Sequence, residues 1–214
     1  MIYVKTAKRV PFCTIFGLSR GLNITKADYI EEGVPCLSYG DIHSRYNGFL
    51  DATVQPLPKV SPDFLKDNAS ALLKPGDVVF ADTSEDYAGS GDCTCILNAP
   101  EYLFAGYHTT IARVTDDVQV DIRYLGYYFQ SHDFRNQIQR AVNGIKVYSI
   151  TNKILDTTKL LLPDLEEQKR IADFLDHKAS NIDKALKKTL ELQETLKTYR
   201  STLISSVIKK EESF

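Results

Sequence analysis

The chain has 214 residues, a net charge of −2 and 43% hydrophobic residues, which suits one or two folded domains and excludes an intrinsically disordered protein. Taken alone, the slightly acidic balance argues against nucleic-acid binding, but a local basic face or a partner subunit could still supply cations. No apolar stretch approaches the roughly 18 residues of a membrane span, and the N-terminus lacks the apolar core of a signal peptide. We therefore expect no membrane contact.

The cysteine spacing predicts neither a metal site nor a redox motif. Only two of the four cysteines, Cys93 and Cys95, are close in the sequence; the others are Cys13 and Cys36. A CxC pair fits neither a zinc ribbon nor a CxxC motif. We therefore expect reduced thiols in or near strands, with no bound metal and no cofactor.

The first part of the chain predicts short strands joined by polar turns. The glycine-rich segment GLSRGLNITKADY offers Ser and Arg to a phosphate, or it is an ordinary connection capped by Asn23 or Thr25. A short strand at 36–39 precedes a predicted loop at 42–48 that contains His, Ser, Arg, Tyr and Asn. These side chains suit base edges and phosphates, and they equally suit an exposed hairpin loop.

The next part predicts a helix start, a buried strand and a long acidic loop. Ser61 caps a helix with Pro62 in its first turn, and a turn at 74–77 precedes the buried strand 78–81. The loop 82–92 fits neither an EF-hand nor a phosphate-binding loop. It is either a mobile surface loop or a loop that reads bases through Thr, Ser and carboxylate side chains.

Strands and one helix alternate in the region that follows. Strands are predicted at 102–106 and 109–114, and helical spacing of apolar residues predicts a helix at 121–141 that ends at Asn143-Gly144. The aromatic residues of this helix are assigned to the core and not to base stacking. A buried strand at 160–162 ends this region.

One long helix is predicted from Pro163 to Lys210, because this segment has helical periodicity and contains neither glycine nor a further proline. Pro163 suits the first helical turn, and the acidic residues after it favour the positive end of the helix dipole. A helix of about 45 residues spans roughly 65 Å, more than one small domain can cover, so we expect a partner. Its apolar stripe contains Ile171, Leu175, Ile182, Leu186, Leu196, Leu203 and Val207.

Familiar catalytic motifs are absent from the sequence. It contains no glycine-rich methyl-donor loop, no Asn-Pro-Pro-aromatic loop, no nuclease-type set of carboxylates with lysine, and no Gly-x-Ser-x-Gly. We therefore predict a binding or assembly protein and not an enzyme.

The start of the long helix resembles a known family. The segment PDLEEQKRIADFLDHKASNID is similar to the signature that follows each target-recognition domain in the specificity subunits of type I restriction-modification systems. The segments KVYSI, GLNITKADYIEEGVPCLSYGDIHSRY and GDVVFADTSEDYAGSG also resemble parts of this family, so the resemblance covers nearly the whole chain. The residues that carry the signature are Leu160 to Leu162, Pro163, Glu167-Gln168, Ile171-Ala172 and Leu175.

The resemblance implies an α+β fold, with a globular mixed α/β target-recognition domain at 1–162 and a long C-terminal helix at 163–214 that forms an antiparallel coiled coil with a partner. It implies a non-catalytic cytoplasmic subunit that binds double-stranded DNA in the major groove and directs partner methyltransferase and restriction subunits. Family members usually have two recognition domains and two helical regions, whereas this sequence has one of each. We therefore expect a homodimer through the C-terminal helix that reads a bipartite inverted repeat.

Candidate contact residues are chosen by side-chain chemistry and position. Arg45 is the strongest DNA-contacting candidate, because a guanidinium can contact guanine or phosphate in bidentate fashion. The predicted DNA-contacting set is His43, Ser44, Arg45, Tyr46, Thr83, Ser84, Tyr87, Lys146 and Tyr148. The predicted dimer and partner interface is Ile182, Leu186, Leu196, Tyr199, Leu203 and Val207.

Two other functions stay open from the sequence. One is a helical-stalk assembly protein that never binds nucleic acid. The other is a regulatory half-subunit that competes for the methyltransferase without directing methylation. Association with a methyltransferase separates a specificity subunit from the first alternative but not from the second.

Overall fold

The computed structural model describes residues 7–142 and 147–211, with side chains up to residue 208. The chain has the predicted α+β class, in which sheets and short helices are followed by one long helix. The strands are β1 (Ala7–Pro11), β2 (Phe16–Arg20), β3 (Tyr29–Ile30), β4 (Val34–Leu37), β5 (Gly48–Asp51), β6 (Lys59–Val60), β7 (Val78–Ala81), β8 (Thr83–Ser84), β9 (Cys93–Asn98), β10 (Phe104–Ala105), β11 (Thr109–Val114), β12 (Tyr148–Ser149) and β13 (Lys159–Pro163). The helices are α1 (Tyr39–Ser44), α2 (Ile122–Gln130), α3 (His132–Ala141), α4 (Asn152–Thr157) and α5 (Leu165–Glu211).

A five-stranded mixed sheet forms the centre of the globular part, with the strand order β2-β11-β7-β9-β5. Neighbouring strands are antiparallel except for the parallel pair β5 and β9. The strand β7, which the apolar run at 78–81 predicts as buried, is buried at all four positions in the middle of this sheet. Helix α2 packs closely on the sheet at Gly126, next to the ring of Phe49. A Cβ at this position would lie only 2.3 Å from that ring, so a larger residue does not fit there.

Aromatic side chains fill the core between this sheet and the helices α2 and α3. The ring of Phe129 lies 5.3 Å from Phe80 and 4.6 Å from Phe134, measured between ring centroids. All three side chains are completely buried. The assignment of these aromatic residues to the core is therefore confirmed.

A second sheet of four short strands has the order β10-β4-β6-β3 and an apolar cluster of its own. Cys36 and Phe104 face each other across its parallel pair and are completely buried. Two further antiparallel pairs, β1 with β13 and β8 with β12, join segments that are far apart in the sequence. The pair β8 and β12 brings together two of the segments predicted to contact DNA.

Two local predictions are wrong because short polar side chains cap helices there. The predicted loop at 42–48 is partly helical, since Ser38 and Asp41 form a capping box with a 2.7 Å hydrogen bond from the serine hydroxyl. The predicted helix at 121–141 is two helices, since Ser131 has an extended backbone that ends α2 and caps α3. The predicted stop at Asn143-Gly144 lies outside the described residues.

Other local predictions are confirmed or extended. Ser61 accepts a hydrogen bond from the backbone of Asp63, so it caps a short 3-10 helix with Pro62 in its first turn. Thr25 caps a 3-10 turn, as in the ordinary reading of the glycine-rich segment, although that segment also contains most of β2. The helix α4 is an element that the sequence predictions omit.

The long helix α5 begins two residues later than predicted. Pro163 is the last residue of β13 and pairs with Ala7, so it does not lie in the first helical turn. Asp164 follows it, and its side chain accepts a 2.9 Å hydrogen bond from the backbone of Glu167. The helix then runs without interruption to Glu211, which confirms the predicted long helix.

The chain divides into two compact units, Met1–Ala172 and Asp173–Phe214. The first unit contains the sheets and the first turns of α5, where Gln168 and Ala172 are buried. In the second unit every described side chain from residue 180 to residue 208 is exposed. No helix in the described part of the chain is long and apolar enough to cross a bilayer.

Gln168 fastens the first turn of α5 within the globular unit. Its Oε1 accepts from the backbone of Asp121 at 3.0 Å, and its Nε2 donates to the carbonyl of Pro163 at 2.9 Å. Because Gln168→Leu leaves both backbone groups without these partners, we expect it to lower the free energy of unfolding by about 1–3 kcal/mol. Urea unfolding measures the change, with the exposed neighbour Lys169→Leu as the control. Equal stability of the two variants would contradict this role.

Candidate nucleic-acid interface

His43 lies in the last turn of α1 at the centre of the candidate site. Its Nδ1 is 2.7 Å from Asp92 Oδ2, and its Nε2 is 2.9 Å from the carbonyl oxygen of Thr83. Both partners only accept hydrogen bonds, so this geometry suits the imidazolium form, in which both ring nitrogens carry a hydrogen. The hydrogen bond to Asp92 raises the pKa of His43. His43 therefore links α1 to the loop 82–92, and in this arrangement it offers no free ring nitrogen to a base.

Asp92 gathers three side chains around a buried carboxylate. Besides the bond to His43, its Oδ1 accepts from Asn47 at 2.7 Å and from Arg135 at 2.5 Å. Burial opposes ionisation of Asp92, but the hydrogen bonds from His43 and Arg135 outweigh it and lower the pKa of Asp92 below its ordinary value. This carboxylate therefore joins α1, α3 and the end of the loop 82–92. We call His43, Asn47, Asp92 and Arg135 the Asp92 network.

The other residues at the end of α1 that were predicted to contact DNA differ in how much of their side chains is exposed to solvent. Arg45 donates to Asp41 at 2.7 Å and lies over the Tyr46 ring, and 49% of its side chain is exposed. The hydroxyl groups of Ser44 and Tyr46 donate to backbone carbonyl groups of the protein. Arg45 is therefore the residue of this group that presents a half-exposed cation.

The strand pair β8 and β12 brings the other predicted segments together. It places Tyr148 opposite Ser84, and the Tyr148 ring lies 5.6 Å from the ring of Tyr87 in an edge-to-face contact. Tyr87 is about half exposed, whereas Ser84 is buried. Lys146 lies outside the described residues. The two tyrosines are thus aromatic neighbours in the structure, although 61 positions separate them in the sequence.

The loop 82–92 is tied down at several points. The Thr83 hydroxyl donates to Asp82 at 2.8 Å, and Asp86 accepts from the backbone of Gly89 at 2.5 Å. Arg135 donates to the carbonyl of Ala88 as well as to Asp92. These contacts hold the loop in a defined conformation and connect it to α3.

The sequence predictions omit an aromatic cluster beside α1. The Tyr39 ring lies 5.3 Å from Tyr107 and 5.4 Å from His108, in edge-to-face contacts. A cleft of about 570 Å³ next to these tyrosines is also lined by Lys26 and Arg45. Aromatic faces beside cations suit bases and phosphates. One signal was available in the sequence, because Tyr107-His108 stands between two predicted strands and therefore forms a turn.

The thiols do not contribute to this site. Cys36, Cys93 and Cys95 are buried in strands, as predicted, and Cys13 is exposed. Burial raises the pKa of Cys36 to about 12 and the pKa of Cys93 and Cys95 well above the ordinary value, so these thiols stay protonated and unreactive. Within residues 7–142 and 147–211, no group of three or more His, Cys, Asp or Glu side chains is arranged to hold a metal ion.

The predicted interface residues of the helical unit form an apolar stripe. Their side chains are between 50% and 66% exposed, and Leu190, Leu192, Ile204 and Ile208 are further exposed aliphatic residues of the same helix. Contiguous exposed apolar patches are rare on monomeric soluble proteins. The stripe consists of Ile182, Leu186, Leu196, Tyr199, Leu203 and Val207.

Comparison with known proteins gives matches that extend through the globular unit into the helix. The family model of the type I restriction modification DNA specificity domain matches residues 13–192. The chain is 23% identical over 195 residues to the type I restriction enzyme MjaVIII specificity subunit of Methanocaldococcus jannaschii. It is also 23% identical over 202 residues to the StySPI specificity subunit of Salmonella potsdam. These matches cover 91% and 92% of this chain but 44% and 42% of the relatives, so the chain spans less than half of their length.

The fold is also found in a solved structure. A chain from a study of complex assembly and conformational transition of the type I R-M system superimposes with a TM-score of 0.61 and 20% identity. The match covers 88% of this chain and 42% of that chain. At this level of identity the comparison shows a shared fold.

Proposed function

The chain belongs to the type I restriction modification DNA specificity family, whose model matches most of its length, and on this premise we propose that it is a sequence-reading subunit of a type I restriction-modification system. It binds double-stranded DNA in the cytoplasm and carries out no chemical step itself. Partner methyltransferase subunits modify adenine in the DNA that it selects, and restriction subunits join the same complex. The curated relatives are named as specificity subunits, which supports this function.

The proposal that the globular unit reads DNA is supported by four segments that are far apart in the sequence and meet in the structure. The end of α1, the loop 82–92, strand β12 and the β10–β11 turn meet through contacts of His43, Thr83 and His108. Around these contacts lie the half-exposed cation of Arg45, tyrosine rings and hydroxyl groups. These are the side chains that bind phosphates and base edges.

The apolar stripe supports the proposal that two copies pair through their helices. An amphipathic helix with exposed leucine and isoleucine is stabilised when its stripe packs against another helix. A two-fold antiparallel pair buries both stripes with one set of residues. Residues 163–214 contain ten Lys and Arg and ten Asp and Glu, a balance that suits protein contacts better than phosphate contacts. Two recognition domains held by such a pair read an inverted repeat across a fixed gap.

Methylation mapping tests this function. The chain is expressed with the methyltransferase subunit that co-purifies with it, and methylated adenines are located by single-molecule sequencing with and without the gene. We expect methylation at a bipartite inverted repeat that disappears without the gene. An asymmetric target would overturn the pairing of two copies. An unchanged map would overturn the reading function in favour of a helical-stalk assembly protein or a regulatory half-subunit.

Arg45→Ala is expected to relax specificity at one base pair and to cost about 1–3 kcal/mol of discrimination, because a bidentate contact to guanine is lost. The fold should tolerate the change, since Asp41 keeps its hydrogen bonds with Ser38. Binding to a set of single-base-pair variants of the target at fixed salt measures it. The exposed cation Arg140→Ala is the control. A uniform loss over all targets would instead identify Arg45 as a phosphate contact.

A further inference from the structure

His108 occupies an unusual position in the turn between β10 and β11. Its φ of 54° is in the left-handed region, and it is the only non-glycine residue there among those the structure describes. Histidine tolerates this region better than most residues, but such a conformation persists only where the surrounding structure imposes it. Here the backbone of Asp82 donates to the carbonyl of His108 at 3.0 Å. The turn therefore holds the His108 side chain in a defined place, with 56% of it exposed.

One ring nitrogen of His108 is fixed by Asp82. The Nδ1 atom lies 3.2 Å from Asp82 Oδ1, which also accepts from the Thr83 hydroxyl at 2.8 Å. Thr83 Oγ1 is 3.4 Å from Nδ1, but its hydrogen is directed to the closer, charged oxygen of Asp82. Since an ionised carboxylate only accepts, Nδ1 carries the hydrogen. In a neutral imidazole the Nε2 atom is then an acceptor, and within the described residues it has no hydrogen-bond partner.

The surroundings of His108 place this acceptor in the candidate DNA surface. The ring makes edge contacts with Tyr39 and Tyr107, at 5.4 Å and 5.7 Å between centroids. Thr83, which contacts His108, also supplies the carbonyl that holds His43. His108 is therefore connected to the end of α1 and to the loop 82–92, the two segments that the proposed function assigns to DNA.

We propose that His108 reads a base, and that Asp82 determines which bases it accepts by setting the position of the ring hydrogen. This role of His108 rests on the proposed DNA-reading function. An Nε2 acceptor selects a base with an amino group in the major groove, which means adenine through N6 or cytosine through N4. Guanine and thymine present acceptors at the corresponding edge, so they are rejected.

Asp82→Asn provides a directional test of this inference. An asparagine whose amide nitrogen faces the ring donates one hydrogen to Nδ1 and the other to the Thr83 hydroxyl, and the ring hydrogen then lies on Nε2. We expect the preference at one base-pair position to change from adenine or cytosine to guanine or thymine. His108→Gly keeps the left-handed backbone and removes the ring, so we expect it to reduce discrimination at that position about tenfold. The exposed His132→Ala is the control and should leave every position unchanged.

Selection from a randomised duplex library by the full chain, at pH 8 and fixed salt, measures these preferences, and circular dichroism checks that each variant is folded. A wild-type chain that enriches no sequence would overturn the proposed function itself. A wild-type chain that enriches a motif, together with a folded His108→Gly variant that enriches the same motif unchanged, would overturn only the inference about His108. Uniform weakening at all positions would also overturn it, since that result identifies a phosphate contact. The Asp82→Asn variant could also lose discrimination at the same position without changing the preferred base. That result would overturn the proposal that Asp82 sets the position of the ring hydrogen.

Discussion

Replacing Asp92 by alanine is expected to lower the free energy of unfolding by about 3–5 kcal/mol, the usual cost of removing one partner from a buried charged network. The change leaves the His43 imidazolium, the Arg135 guanidinium and the Asn47 amide without their shared acceptor. It also releases the end of the loop 82–92 from α1 and α3. We therefore expect specific DNA binding to be lost even at temperatures where the variant stays folded.

Thermal or urea unfolding of the full chain measures the stability change, and binding to the mapped target measures the functional one. Glu85→Ala removes an exposed carboxylate from the same loop and is the matched control. A stability of Asp92→Ala equal to that of Glu85→Ala would show that the Asp92 network does not stabilise the fold. Unchanged target discrimination in folded Asp92→Ala would show that the network does not position the loop for binding.

The Asp92 network also predicts how stability depends on pH. The folded pKa of His43 is raised by Asp92, so its stabilisation is complete below the unfolded value of about 6.5 and is lost as pH rises through the higher folded pKa. The folded pKa of Asp92 is lowered, so its stabilisation is present above about 4 and is lost as pH falls through the lower folded pKa. The network is therefore most stabilising between roughly pH 4 and 6.5.

His43→Gln separates the contribution of the imidazolium. Glutamine can still donate one hydrogen bond but does not titrate. Above about pH 6.5 we therefore expect the free energy of unfolding to fall less with pH in the variant than in the wild type. Asp92 bonds to His43, Arg135 donates to the same carboxylate, and the charge of Asp86 also raises the pKa of His43. A wild type and variant with parallel stability curves above this pH would contradict the role of His43.

Introducing aspartate at two positions of the stripe, Leu186 and Leu203, is expected to raise the dissociation constant of the proposed dimer at least about 100-fold. The reason is that each charge in a paired stripe is either desolvated without a partner or forces the helices apart. Sedimentation over a range of concentrations measures the dissociation constant. Binding to a duplex that carries both half-sites should weaken with it, whereas binding to one half-site should stay.

Thr198→Asp with Ser205→Asp is the matched control for this change. It adds the same charge to the same helix, but the helical repeat of 3.6 residues places these two positions on the side opposite the stripe. A control variant that dissociates as readily as the Leu186 and Leu203 variant would assign the effect to charge and not to the stripe. A wild-type chain that stays monomeric at all concentrations would contradict pairing through the helix.

The amino-acid sequence by itself determined the secondary-structure elements that depend only on residues close together in the chain. The long helix follows from unbroken periodicity without glycine or further proline, and the strand β7 follows from four consecutive apolar residues. The signature at 160–175 lies within 16 consecutive positions, so it was also visible without a structure. Errors occurred where a single polar side chain decided the local geometry, as Ser131 did by dividing one predicted helix into two.

The candidate site was decided only by the tertiary structure. The contacts of His43 with Thr83 and Asp92 join residues 40 and 49 positions apart, and the ring of His108 meets Thr83 across 25 positions. A single sequence contains no periodicity that relates such residues, because their approach depends on how the sheets and α1 pack. Side-chain type alone therefore placed His43 among the base contacts and passed over His108. Packing gives both ring nitrogens of His43 partners inside the protein, whereas Nε2 of His108 has no hydrogen-bond partner among the described residues.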